Sequence, residues 1–441
     1  MGRPATGVVT RRVAPAALLA ALWLVLAGAQ AARIAVTGSL MSGDGVYHFA
    51  HLRSLVVDRD LDPANEIRHF REEVRSPVTG RPKLGGDTTR SRETGEVVNK
   101  YPLGLALLTA PGYLAVYLAS AALSAAGVAV DRSGYGWTYQ YACGLMVAAY
   151  AVIGLWWCQR VAASMGEGLH RTAWRAALLV AGATPWLFYT TVEPLFSHAL
   201  SATAGAALAW QWVQARASDR TWPWFAAGAV GGVAAMVRYQ DASLLLLPLA
   251  DLIVSARPLA ARLRLGLAVG AGAALAALPQ AAANYAQFGT LSPAGYSGET
   301  FALWLRPWLL YTLTSADVGL LRWSPIVLGA LAGLALGAWR GWPAARLGLA
   351  MVAVQVYLVA SWYFVSQGHT FGNRMLVNCT VFLVVGVTAL LDAAKDRPRL
   401  GTSLHAAGVL LVGANLLLMW LWTRGVVGPL GELLSVRALL R

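Results

Sequence analysis

The chain has 441 residues and a net charge of +14; 57% of it is hydrophobic and only 13% charged, about half the ~25% usual in soluble domains. Soluble packing would divide this length into about three domains. Apolar runs of roughly 16 to 22 residues instead recur to the end, close to the ~20 a spanning helix needs, so the fold class is an all-α polytopic integral membrane protein. The runs lack period-two alternation, which excludes a β-barrel. The basic residues sit mostly in short loops between runs, a pattern of cytoplasmic retention rather than of nucleic-acid binding.

Arg3, Arg11 and Arg12 precede the first run, Val13 to Ala32, and Ala-Gln-Ala ends it in imitation of a signal peptide. The run exceeds an h-region of about 7–15 residues, so it reads as an uncleaved first helix. The arginines put the N-terminus inside, which leaves an extracytoplasmic loop over residues 33–101 carrying Asp44, His48 and His51. One transmembrane domain, residues 1–425, contains that loop, and residues 426–441 form a short tail. Basic loops at Arg160 to Arg175, Arg216 to Arg220, Arg257 to Arg264, Arg340 to Arg346 and Lys395 to Arg399 are all cytoplasmic if one crossing lies between Lys100 and Arg160. Two runs compete for it, Pro102 to Val130 and Tyr139 to Trp157. Pro102 and Pro111 make the first the candidate for an interfacial or re-entrant segment.

Further spans fall near Trp174–Thr191, Ala199–Ala215, Trp222–Met236, Ala242–Ser255, Leu263–Ala283, Pro325–Trp339, Leu347–Tyr363, Leu376–Leu391 and His405–Trp422, the third being short. That makes about eleven crossings with the tail outside. No repeat relates the halves, against the inverted-repeat plan of many transporters. Gly329, Gly333 and Gly337 form a small-xxx-small stripe suited to close packing inside the bundle more than to dimerisation. Glu299 to Leu313 is too polar for a span and reads as an amphipathic surface helix. Cys143, Cys158 and Cys379 have no paired spacing and read as buried and inert.

With sides assigned, ionisable residues from five separate loops fall on the outer face. They are Asp44, His48 and His51; Glu193 and His198; Arg238 and Asp241; Arg306, Asp317 and Arg322; and His369 and Arg374. Such groups are costly beside apolar spans and call for an explanation. Plainer readings exist for each. Asp44 could terminate the first helix, Glu193 could cap the next helix, and His198 could be a packing residue. Arg238, Asp241 and Arg374 could form structural ion pairs. Asp58, Asp60 and Asp62 lack the Gly and distal Glu of a calcium loop and read as solvated. No His-Glu-x-x-His, Gly-x-Ser-x-Gly or phosphate-cradling Gly-Lys-Ser/Thr motif occurs, which argues against zinc hydrolases, serine hydrolases and ATP-driven pumps.

Six segments in order carry a family resemblance: SGDGVYHFAHLRSLVVDRDLD, NKYPLGLALLTAP, TPWLFYTTVEPLFSHAL, PQAAANYAQFGTLSPAGY, GLLRWSPIVLGALAGLAL and SQGHTFGNRMLVN. The chain resembles the GT-C superfamily of polyprenyl-phosphate-sugar-dependent glycosyltransferases, in its family 39-like bacterial branch with the protein mannosyltransferases and aminoarabinose lipid A transferases. The resemblance implies an inner-membrane enzyme with its site on the extracytoplasmic face. It would move a sugar from a polyprenyl-phosphate donor to an acceptor hydroxyl, on lipid, glycan or protein, among membrane lipids and without nucleic acid. It implies Asp44 as general base and Glu193 as second acid. Arg374, with Arg238 or Arg322, would bind the donor phosphate, since guanidinium grips phosphate in a fixed geometry. His48, His198, His369 and Tyr101 complete a substrate-binding set.

Many members carry two adjacent acids where this chain has Gly43-Asp44-Gly45. A divalent cation stays open as a cofactor, with no metal ligand assigned. Single displacement implies inversion at the sugar carbon, and burial is expected to raise the proton affinity of Asp44. The alternative is a lipid or polymer transporter or flippase, which would need ionisable residues at the bilayer midplane; a non-catalytic scaffold would need no converging acids and arginines.

Overall fold

In the computed structural model, which describes residues 16–74, 90–91, 93–95, 97–293, 299–368 and 370–427, helices dominate and the one β pairing among those residues is an isolated bridge from Arg90 to Val97. His369, Arg3, Arg11, Arg12 and residues 428–441 of the tail lie outside the described residues. Helix α1 (Ala16–Thr37) leads into a loop holding α2 (Asp44–Arg53) and α3 (Ala64–Arg68). Then come α4 (Gly104–Ala125), α5 (Trp137–Ala163), α6 (His170–Gly182), α7 (Trp186–Thr191), α8 (His198–Arg216) and α9 (Thr221–Val237). A 3-10 stretch, Tyr239–Leu245, opens α10 (Leu246–Val254), and α11 (Leu259–Phe288) follows. After the short α12 (Leu309–Thr314) and α13 (Leu320–Trp323), the chain runs through α14 (Ile326–Trp339), α15 (Pro343–Ser361), a 3-10 stretch Arg374–Cys379 continuous with α16 (Thr380–Ala393), and α17 (Pro398–Thr423).

Among the described residues seven segments are long and apolar enough to cross a membrane: α1, α4, α5, α11, α15, Arg374–Ala393 and α17; α9 and α14 are shorter apolar helices. The chain is thus a polytopic all-α membrane protein. Proline punctuates it as its chemistry requires. It opens α15 and α17, where its missing N–H costs nothing, and Pro185 separates α6 from α7 within one expected span. Gly289, at φ 70°, ends α11 in the left-handed conformation that favours glycine.

Helix α1 continues to Thr37, so the first loop begins after residue 37 rather than at 33. Both runs between Lys100 and Arg160 form helices of spanning length, and Pro111 lies inside α4 without ending it. Their contacts run antiparallel: the Tyr113 and Tyr139 rings lie 5.0 Å apart, and Gly112 abuts Ala142 and Met146. The start of α4 therefore reaches only part of the way along α5, and α5 alone carries the chain on to Arg160. Gly104, at that start, sits so close to the carbonyl of Met236 that a β-carbon would be 2.5 Å from it.

The expected amphipathic helix over Glu299 to Leu313 is not formed. Residues 302–306 are turns, and α12 begins only after Pro307 and Trp308, as the loss of a proline N–H demands. Its backbone is spent on α15 instead: Leu303 N–H donates to Ser361 and Trp308 N–H to Ala360. The glycine stripe packs inside the bundle, since Gly333 meets the backbone of Gly386 on α16. The three cysteines are free and buried.

The bundle has two chemically different ends. One holds Arg216 paired with Asp251, Arg257 with Asp219 and Arg340 with Asp392. The other gathers the C-terminal end of α1, α2, the junctions α7–α8 and α9–α10, and the turn before α16, through Ser39–Gln140, Ser42–Glu193, Arg238–His198 and Asp44–Arg374.

Candidate active site

Asp44 is the first residue of α2, following Gly43 at φ 45°, a conformation glycine adopts readily. Its two oxygens have different partners. Oδ2 lies 2.7 Å from Nη1 of Arg374, and Oδ1 accepts from the Tyr101 hydroxyl at 2.7 Å. Burial pushes the carboxyl up, but Arg374, the Tyr101 hydrogen bond and Lys100 outweigh it and hold the pKa below the ordinary carboxylate value. This reverses the expected rise. Burial alone would have produced it, and the guanidinium 330 residues away in sequence prevents it.

Glu193 lies between α7 and α8. It does not cap α8, whose N-cap is Ser197; its Oε1 accepts from Ser42 at 3.1 Å. Burial raises its pKa against Ser42, Arg33 and Arg374, with Asp44 adding to the rise. Two acids from separate elements thus share one field with opposite tendencies, Asp44 toward the carboxylate and Glu193 toward the acid. A pair divided in this way is a common signature of acid–base chemistry.

Arg374 anchors the other wall. Its Nη2 donates to the carbonyl of Gln367 at 3.1 Å, its guanidinium lies 5.5 Å over the Phe196 ring, and its buried Nε has no partner. Arg238 donates to His198 Nδ1 at 2.7 Å, to Gln240 at 3.2 Å and to the Met375 sulfur. Arg322 is exposed on α13 and forms no ion pair with either acid. Arg238 and Asp241 do not make the salt bridge of the plainer reading, because Asp241 accepts from Ser201 and Asn378.

His48 and His51 are both buried. His48 packs edge-on to Tyr101 at 5.1 Å, with neither ring nitrogen in normal hydrogen-bond geometry, and burial takes its pKa down to about 3 despite Asp44. His51 contacts the Tyr101 carbonyl at 2.8 Å, and burial lowers it to about 4. Both are neutral at pH 7, so neither adds a charge beside the carboxylate.

The acids of the first loop are not simply solvated. Arg53 bridges Asp58 at 2.5 Å and buried Glu66 at 2.6 Å, Asn65 donates to Asp58, and Ser54 donates to Asp60. This cluster, with Arg53 also donating to the Ser133 carbonyl at 2.9 Å, ties the loop to the α4–α5 connection.

Among the described residues no group of three or more His, Cys, Asp or Glu is arranged to hold a metal ion. Asp44 already gives both oxygens to a cation and a phenol, a poor donor set for a divalent cation. Sequence reasoning missed Ser42, Arg33, Gln367 and the buried amides Gln355 and Asn378. Polar residues inside apolar runs were the available signal for the amides.

No protein-family model matches the sequence, and no curated protein sequence matches it. In three dimensions the chain is similar to the crystal structure of ArnT from Cupriavidus metallidurans in the apo state, with a TM-score of 0.55 and 15% identity. The match covers 93% of this chain and 64% of that one. The likeness is one of fold, and this chain spans less than two thirds of the ArnT chain it resembles.

Proposed function

We propose that the protein is a membrane glycosyltransferase that takes a sugar from a polyprenyl-phosphate donor and passes it to an acceptor hydroxyl on the extracytoplasmic face of a bacterial inner membrane. The observation that carries this reading is the Asp44–Arg374 pair, 2.7 Å apart, in a fold shared with ArnT over 93% of the chain. A base and a phosphate-matched cation meet there although they come from opposite ends of the sequence.

The chemistry follows from the contacts. The acceptor hydroxyl attacks the anomeric carbon and gives its proton to Asp44. The bond from that carbon to the phosphate oxygen breaks, and polyprenyl phosphate leaves with the bonding electrons. Arg374 stabilises the charge that builds on the phosphate, and the single displacement inverts the sugar carbon. Arg374 cannot grip Asp44 and phosphate with full strength at once. Donor binding draws it from the carboxylate, and burial then raises the basicity of Asp44 as the base is needed. Glu193, tending toward the protonated form, orients the acceptor or sugar by hydrogen bonding.

The test is reconstitution with labelled polyprenyl-phosphate sugar and a panel of lipid, glycan and peptide acceptors. Asp44→Asn should slow transfer by about 10²–10⁴-fold, the usual worth of a general base. Flipping of intact donor without transfer would replace this reading with the transporter, and neither activity would leave the scaffold.

A further inference from the structure

The link between Arg238 and His198 constrains where a proton must be. Every polar hydrogen-bonding atom of a guanidinium is a donor. With Arg238 Nη1 2.7 Å from His198 Nδ1, that ring nitrogen has to offer a lone pair. The imidazole is then neutral, and its one proton is on Nε2. The rest of Arg238 is committed to the bundle. Nη2 donates to Gln240 Oε1 and approaches the Met375 sulfur, while Gln240 is held by Gln355 at 2.8 Å and by the Met375 carbonyl at 3.2 Å. Asn378 joins Gln355 to Asp241, with Gln355, Asn378 and Asp241 all fully buried. A fully satisfied network of this kind fixes geometry.

We infer that Arg238 is a positioning residue that locks His198 as the neutral Nε2–H tautomer, and that this N–H donates to an oxygen of the bound substrate beside Arg374. His198 is held for that task. Its ring lies edge-on to Tyr189 at 4.8 Å and stacks toward Phe196 at 6.2 Å, and Phe196 is the ring beneath Arg374. His198 is also the first residue of α8, where the partial positive charge of a helix N-terminus favours an oxygen ligand. The inference separates the two arginines, giving the phosphate to Arg374 and the support of a donor to Arg238. A locked neutral donor also does not compete with Asp44 for the acceptor proton. The substrate half rests on the proposed function; the tautomer half does not.

The experiment begins with ¹⁵N-histidine-labelled protein in nanodiscs and long-range ¹H–¹⁵N imidazole spectra, with the His198 signal assigned by its loss in His198→Gln. Wild type and Arg238→Lys should show protonated Nε2 and bare Nδ1, and Arg238→Met should move toward mixed tautomers. A protonated Nδ1 in wild type overturns the lock whatever the activity. For the substrate half, His198→Phe should weaken use of a polyprenyl-phosphate-linked sugar by about 10–100-fold, the worth of one charge-assisted hydrogen bond. His198→Gln, which offers an N–H near the Nε2 position, should recover most of it. If polyprenyl phosphate alone also inhibits the Phe variant more weakly than wild type, the oxygen is on the phosphate; if only the sugar-bearing donor is affected, it is on the sugar. Equal rates and affinities in all three proteins refute the contact.

Discussion

Removing one hydroxyl tests the electrostatics of the site most directly. Tyr101 donates to Asp44 at 2.7 Å, and Tyr101→Phe deletes that donor while keeping the ring that stacks on Tyr47 at 5.2 Å. The hydroxyl favours the ionised carboxylate, so its loss makes protonation of Asp44 easier. Asp44 starts below the ordinary carboxylate value, and as a base it is lost when the pH falls through its pKa. The acid limb of kcat/KM, which reports the free enzyme, should therefore move to higher pH in the variant. A hydrogen bond to a charged group is worth about 1.5–3 kcal/mol, and one pH unit corresponds to about 1.36 kcal/mol. With the Asp44 side chain 25% exposed, the lower part of that range applies, a displacement of about one unit. The assay is transfer from labelled polyprenyl-phosphate sugar in nanodiscs, with the pH series carried below the ordinary carboxylate value so that the wild-type limb is seen. An unmoved or lowered limb refutes the argument, and an equal loss of activity at every pH assigns Tyr101 to substrate contact instead.

Burial raises the pKa of Glu66 to about 8 from 4.5 in spite of Arg53. The folded state then keeps a proton that the unfolded chain releases, and stability falls as pH rises between those values. Thermal melts at pH 5 and 8.5 should show a larger drop for wild type than for Glu66→Gln, which cannot ionise. Gly333→Ala would put a methyl 1.8 Å from the Gly386 carbonyl and should cost about 1–3 kcal/mol as overpacking, whereas Gly329→Ala, with its nearest neighbour at 3.4 Å, should melt like wild type. A cysteine at exposed Thr290 should react in intact cells with an impermeant thiol reagent that leaves one at Ser218 untouched. The native cysteines are buried and silent in this assay, and the reverse pattern would place the acids on the cytoplasmic side.

Helix positions were largely legible because hydropathy is a local property. A run of apolar residues reports its own solvent, as in α11 and α17. Prolines told less. Pro307 does stop a helix over 299–313, yet Pro111 rides inside α4, where neighbouring structure tolerates it. The site was half legible: charge placement brought Asp44, Glu193, Arg238 and Arg374 to one end. It did not show that Arg374 rather than Arg322 faces Asp44, because that choice rests on packing against Phe196 and Gln367, residues that no local pattern ties to either arginine. Nor did it show that Tyr101 serves the carboxylate, a pairing across 57 residues with no local signature.

The ion pair at the centre of the site also bears on how a water-accessible base could avoid wasting its donor. A carboxylate free to activate any nearby hydroxyl would activate water as readily as an acceptor, and a lipid-linked sugar would then be hydrolysed. While Arg374 and Tyr101 occupy both oxygens of Asp44, its proton affinity is held down, and in the proposed reaction the base gains strength only as Arg374 turns toward phosphate. Under the proposed function, the group that recognises the donor is thus the group that restrains the base. Coupling recognition to activation in this way requires only that one guanidinium lie within reach of both partners, which is what the 2.7 Å contact and the unpartnered Nε of Arg374 provide.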